Sequence, residues 1–178
     1  LMSVLFRKLG ELQLARTYLE PILASAQHVT PAIVAQANNS LGIILTLEGK
    51  WDEARQALIS AIDAVSAQDA PLLRGSLDVN LAAVVSLQGK MREGKVLLER
   101  ALPQLQRAGN PRLIVNARSN LGFNLQRLGE IEPAKKTLSA ALAEARASDL
   151  NLIVASTLES LAECHSIQGN FSEAENYF

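Results

Sequence analysis

The chain predicts an all-α fold, a solenoid of antiparallel helix pairs, and three observations carry that reading. Five glycines, Gly10, Gly49, Gly89, Gly129 and Gly169, follow one another at intervals of 39, 40, 40 and 40 residues. Small and apolar residues fall in fixed columns around each of them. The composition is 48% hydrophobic but only 4% aromatic, so the core must be built from Leu, Ala, Val and Ile at close helix contacts. A period of this size dictates an architecture in which each unit buries its apolar face against its neighbours.

The columns are tight. Eight residues before the glycine stand Leu41, Leu81, Leu121 and Leu161, followed by Gly42, Ala82, Gly122 and Ala162. Two residues after it stand Leu12, Trp51, Met91, Ile131 and Phe171. Five after it stand Ala15, Ala54, Gly94, Ala134 and Ala174, and nine after it Leu19, Leu58, Leu98, Leu138 and Phe178. Small residues let two helices approach, and large apolar ones fill the space beside them. The glycine ends one helix because it takes a positive φ without steric cost. The next helix starts within about two residues. The chain is expected to be a single array, residues 1–178, of about four repeats, partial at both ends and part of a longer protein.

This pattern resembles the tetratricopeptide repeat, and the resemblance covers essentially the whole chain. Its Leu-Gly/Ala pair, turn glycine and later Ala, aromatic-or-Leu and Ala positions all have matches. The usual unit is about 34 residues, whereas this one is 40, which implies longer helices. The long variant is similar to the repeats of kinesin light chains, bacterial peptide-pheromone receptors and the sensor domains of ATPase-type transcription activators such as the maltose-regulon activator. The resemblance implies a right-handed superhelix.

In chain order, Leu1 to Leu9 reads as the tail of a first helix and residues 12–28 as its partner. Thr30-Pro31 starts the next helix, with Thr30 as N-cap and Pro31 at the first helical position. Ala70-Pro71 and Asn110-Pro111 repeat that signal, and Asp149-Leu150-Asn151 takes its place in the last copy. The remaining predicted helices are 31–48, 51–67, 71–88, 91–108, 111–128, 131–147, 151–168 and 171 onward. Pro21 and Pro103 lie inside predicted helices and are expected to kink or break them. Pro133 falls in a first turn, where its missing N–H is no loss.

Composition excludes several functions. The net charge of −1 leaves no cationic excess for phosphates, so no direct nucleic-acid binding is expected of this segment. No apolar run approaches the roughly 20 residues needed to span a bilayer, and no secretory signal is visible. Cys164 is the only cysteine, which suits a reducing, cytoplasmic setting. Neither a cofactor nor a metal is expected. Cys164-His165 beside Glu159 and Glu163 is the only cluster with catalytic-looking side chains. Metal ligation needs three or four convergent ligands, and these four do not share one face. A buried thiol and a half-exposed imidazole is the reading adopted. His28 stands alone near a helix end.

The resemblance implies that the first helix of each repeat lines the concave surface. Helical spacing then places Gln36, Asn39, Ser40, Ile43 and Leu47 there, followed by Ser76, Val79, Asn80, Ala83 and Leu87. Asn116, Ser119, Asn120, Phe123 and Arg127 come next, then Ser156, Glu159, Ser160, Glu163 and Ile167. Asn80 and Asn120 share a column, and Asn39 is adjacent to it. In the similar peptide receptors and kinesin light chains an Asn there pairs with the backbone of an extended peptide. If the groove binds such a peptide, both amides face solvent unpaired, with Phe123 as a pocket wall; the alternative is that these asparagines bond to the neighbouring repeat and fix its angle. Arg127 would hold an acidic group, and Glu159 and Glu163 a basic one. Chaperone-binding members clamp a carboxylate with Lys and Arg at set columns, but here those columns carry no cation.

The sequence reads as a non-catalytic protein or peptide recognition scaffold, the regulatory or sensor module of a larger cytoplasmic regulator. The alternative is a small-effector-sensing domain of an ATPase-type transcription activator, and an enzyme is the third reading. Leu5, Phe6 and Leu9 at one end and Phe178 at the other predict self-association through an exposed solenoid end.

Overall fold

The structure is a computed structural model that describes residue 7, residues 10–66 and residues 70–177. The described residues form helices α1 (Leu12–Thr17), α2 (Glu20–Ala24), a 3-10 turn (Ala26–His28), α3 (Pro31–Leu47), α4 (Trp51–Asp63) and α5 (Pro71–Leu87). They continue with α6 (Met91–Ala108), α7 (Pro111–Arg127), α8 (Ile131–Ala147), α9 (Asn151–Ile167) and α10 (Phe171–Glu175). The expected helix over Leu1 to Leu9 lies almost wholly outside the described residues.

Four turns share one hydrogen-bonding scheme. After α5, Gly89 N donates to Ser86 O and Lys90 N to Val85 O, and the same pair of bonds closes the turns at Gly49, Gly129 and Gly169. This is the Schellman arrangement, which needs a left-handed residue at its centre; Gly89 supplies it at φ +78°. Between repeats Gly109 plays that part after α6, and Asp149 takes it after α8 at φ 53°. Asn110 caps α7 by accepting from Leu113 N at 3.1 Å. Thr30 makes no such side-chain bond, contrary to the expected cap, although Pro31 holds the first helical position.

The two internal prolines behave differently. Pro21 divides the predicted 12–28 helix, which stops at Thr17 and restarts at Glu20. Pro103 lies inside a helix that runs uninterrupted from Met91 to Ala108. Leu97, Leu98, Ala101 and Leu105 are buried on both sides of it, and that packing outweighs the roughly 3 kcal/mol cost of an internal proline. Helix α4 ends four residues earlier than expected. Arg74 Nη1 donates to Ile62 O in its last turn and to Val65 O just beyond its end, each at 3.1 Å.

The core is continuous along the array. Its central cluster joins Ala54, Leu58, Leu77, Leu98, Leu105 and Ala117. Leu121 links this to a second cluster around Leu138 and Leu161, and Leu41 links it to a third around Ala15 and Ile44. The small-residue column is buried throughout, with Ala15, Ala54 and Ala134 at 0% exposure. A Cβ at Gly122 would stand 2.5 Å from Leu138 Cγ, and one at Gly42 2.7 Å from Leu58 Cγ. Helix pairs therefore meet with backbone against leucine. The first helices of successive repeats also touch one another, α3 to α5 to α7 to α9, which sets them on the inner side of the curve.

A buried charge sits in the middle of this core. Asp78 on α5 is fully buried and accepts from Arg100 Nη2 at 2.7 Å and Nε at 3.0 Å, with Gln104 Nε2 at 3.4 Å. Arg74 Nε lies 3.7 Å away. The bidentate carboxylate contact raises the Arg100 pKa further above its ordinary value.

Candidate functional site

The inner face divides lengthwise. Toward the turn glycines Leu47, Leu87, Phe123 and Ile167 are all exposed, interrupted by the charged Arg127 and Glu163. Toward the helix N-termini it carries Gln36, Ser76, Asn116 and Ser156, which are neutral and at least partly open to solvent. The helical spacing of three and four residues puts both kinds on one stripe of each first helix.

The asparagine column does not behave alike along the array. Asn80 Nδ2 donates to Asn39 Oδ1 at 2.7 Å. Asn80 is therefore not the unpaired amide of the groove reading but follows the alternative, a bond to the neighbouring repeat: Asn39 sits one position off the column on the preceding helix, and its carboxamide meets the next repeat. Asn120 makes no side-chain hydrogen bond among the described residues and is partly exposed. Three other positions expected in the groove, Val79, Ser119 and Ser160, are buried. Val79 is 1% exposed, and the hydroxyls of Ser119 and Thr157 lie 2.8 Å apart between repeats.

Asn120, Phe123 and Arg127 come together at one cavity of about 390 Å³ between α5 and α7, lined also by Ala83, Leu87 and Met91. Its floor is polar. Ser86 Oγ donates to Asn124 Oδ1 at 2.7 Å, and Asn124 Nδ2 donates to Asn120 O at 2.9 Å. Ser86 is 8% exposed and Asn124 1%. Sequence reasoning missed this pair, although a signal exists. Five residues before the turn glycine the column reads Ile44, Val84, Asn124 and Cys164, so Asn124 is polar where the others are apolar. Gly94 likewise breaks a column of alanines. A Cβ there would stand 2.5 Å from Ser86 Oγ and 3.0 Å from Asn124 Oδ1. The glycine makes room for the hydrogen-bonded pair.

Arg127 and Glu163 form an ion pair at 3.7 Å, with side chains 51% and 47% exposed. The expected gradient of charge from Arg127 to Glu163 is therefore closed on itself. A pair this exposed contributes at most about 1 kcal/mol and leaves both groups free to exchange partners. Glu159 is exposed one turn earlier on α9, and Ser160 donates back to Ser156 O at 3.0 Å.

The Cys164-His165 neighbourhood is a packing site. Cys164 is fully buried, and burial raises its thiol pKa. The His165 ring is stacked on Tyr177 with centroids 5.5 Å apart. Among the described residues no group of three or more His, Cys, Asp and Glu could hold a metal ion. No helix among them is long and apolar enough to cross a membrane.

Comparison with known proteins agrees with this geometry. Residues 113–178 match the family model described as tetratricopeptide repeat. Over that stretch the chain is similar to tetratricopeptide repeats. A search of curated protein sequences finds no match to it. Among solved structures it is similar to BtubC from P. vanneervenii, with a TM-score of 0.81 at 18% identity, over 98% of this chain and 73% of that one. It is similar to a Rap protein complexed with competence and sporulation factor, with a TM-score of 0.83 at 14% identity, over 99% of this chain. The chain spans 49% of that protein's length. It also resembles YrrB, described as a tetratricopeptide-repeat protein with an unusual peptide-binding site, at 17% identity and a TM-score of 0.66, over 98% of this chain and 78% of that one. At these identities the likeness is one of fold.

Proposed function

We propose that the chain is a non-catalytic recognition scaffold that binds an extended peptide segment of a partner protein along its inner face, as the regulatory or sensor module of a larger cytoplasmic regulator. The observation that carries this reading is the convergence of Asn120, Phe123 and Arg127 on one cavity of about 390 Å³. That volume lies at the lower end of the roughly 300–1,000 Å³ typical of ligand clefts. The unpaired Asn120 carboxamide both donates and accepts, so it suits a peptide backbone of any sequence. Phe123, Leu87 and Met91 offer apolar contact beside it. Arg127 exchanges Glu163 for an acidic group on the ligand, and Glu159 with the released Glu163 favours a basic one. Asn39 and Asn80, bonded to each other, form a polar wall at the preceding repeat.

The peptide-binding site of YrrB and the competence and sporulation factor bound by the Rap protein support the reading by analogy of fold. The same cavity supports the second reading, a small-effector sensor of an ATPase-type transcription activator. Nucleic acid and membrane are not partners of this segment in either case. Copies of the segment associate through an exposed solenoid end, where Phe171 is 66% exposed. Light scattering that finds a strict monomer at high concentration contradicts that contact.

The test is capture of random capped heptapeptides by immobilised protein. Wild type is expected to enrich a subset, and the Asn120→Ala/Phe123→Ala variant to lose that enrichment while melting at nearly the same temperature. Equal capture by the variant overturns the reading.

A further inference from the structure

The floor of the α5–α7 cavity carries a buried polar pair, and its hydrogen bonds are not exhausted. An Asn amide nitrogen carries two protons. One proton of Asn124 Nδ2 goes to Asn120 O, and no hydrogen bond among the described residues uses the other. The orientation of this carboxamide is fixed by chemistry: a carbonyl oxygen only accepts, so the nitrogen must face Asn120 O and the oxygen the Ser86 hydroxyl. The Ser86 proton is committed to Asn124 Oδ1, which leaves lone pairs on Ser86 Oγ. Side by side, the cavity floor thus offers one N–H donor and one hydroxyl acceptor on side chains more than nine-tenths buried.

We propose that this cavity takes a neutral primary carboxamide, the side chain of a glutamine in the bound peptide. The inference rests on the peptide-groove reading and adds the specificity of its central pocket. The glutamine carbonyl accepts the spare Asn124 proton, and its NH₂ donates to Ser86 Oγ. Its two methylenes lie against Leu87, Met91 and Phe123. A carboxylate fits worse. The buried floor holds no cation and Ser86 has no second proton to give; Arg127, whose side chain is 51% exposed, takes an acidic group of the ligand outside that floor. A buried charge without a partner is strongly disfavoured. An aliphatic side chain expels water from the floor and returns nothing to the amide proton, and an unmet buried donor is costly.

The repeat itself supplies a control that keeps the fold. The column of Asn124 holds Ile44 and Val84 elsewhere, and replacing both members of a buried hydrogen bond by apolar groups is nearly neutral. The Ser86→Ala/Asn124→Val variant therefore converts the floor to the apolar form of its neighbours. The probes are three heptapeptide pools with randomised flanks and glutamine, glutamate or leucine fixed at the centre. Wild type is expected to retain the glutamine pool at least fivefold over each of the others. The double variant is expected to lose that preference and retain the leucine pool best, at an unchanged melting temperature. Three outcomes overturn the proposal: equal retention of all pools by wild type, a glutamine preference that survives in the double variant, or no retention of any pool. Equal retention leaves the groove reading standing, whereas no retention removes both. If the double variant does not fold, Ala83→Leu, which fills the cavity above an intact floor, must abolish the glutamine preference. Its persistence there equally overturns the proposal.

Discussion

The two stretches of inner face on either side of α5 are built from the same columns and end up in opposite states. Toward α3, Asn80 is tied to Asn39 at 2.7 Å, the small-residue position is Ala54, and the column below holds Ile44 and Val84. Toward α7, Asn120 is untied, the small-residue position is Gly94, and the column holds Asn124 hydrogen-bonded to Ser86. In the first stretch the column asparagine is bonded to its neighbour, and the second opens into a cavity. A repeat scaffold thus creates a site without altering its architecture. It substitutes a few positions within the columns, and a compensating glycine absorbs the steric consequence.

Several variants sharpen or break this comparison. The largest effects belong to the shared core. Leu138→Ala removes a fully buried side chain that packs against Gly122. It is expected to lower stability by about 2–5 kcal/mol in chemical denaturation. Ala134→Leu overpacks a junction with no exposed surface and is expected to cost about 1–3 kcal/mol. A neutral melt for Ala134→Leu contradicts the register.

Gly94→Ala comes next and distinguishes the two stretches. In the wild-type background its new methyl collides with Ser86 and Asn124, and the expected cost is about 1–3 kcal/mol. In the Ser86→Ala/Asn124→Val background the space is vacated, and the same change is expected to be neutral or stabilising. Equal costs in both backgrounds show that the polar pair is not why this position is glycine, because independent sites add.

The asparagines give the smaller contrast. Asn80→Ala leaves Asn39 without its partner and is expected to cost about 0.5–1.5 kcal/mol of stability. Asn120→Ala is expected to leave the melt unchanged and weaken peptide capture by a similar amount. The reverse pattern relocates the contact surface to the Asn39–Asn80 wall. The smallest effect concerns Cys164. Burial raises its thiol pKa, so the reactive thiolate is scarce at neutral pH. Alkylation by iodoacetamide is expected to be slow in the native protein and fast once it is unfolded.

The architecture was legible because it repeats. Gly49, Gly89, Gly129 and Gly169 end one helix in a common turn and start the next within two residues, so helix bounds follow from spacing alone. What was not legible depends on contacts across helices. Asp78 looks like a surface residue until Arg100, 22 positions away on the antiparallel helix, is seen to grip it. The early end of α4 depends on Arg74 of the next helix. Asn39 and Asn80 read as a ladder for a ligand, but they are bonded to each other across neighbouring repeats. Asn124 stands in a core column, and only its departure from Ile44 and Val84 in the alignment of repeats marks it.

The most direct measurement is a titration of isotope-labelled protein with the peptide that the capture experiment enriches, followed by nuclear magnetic resonance. The side-chain amide signals of Asn120 and Asn124 and the methyl signals of Leu87 and Met91 are expected to shift together. Those of Asn39 and Asn80 should stay in place. Shifts confined to Asn39 and Asn80, or to helices α4, α6 and α8 away from the inner face, contradict the assignment of the α5–α7 cavity as the binding site.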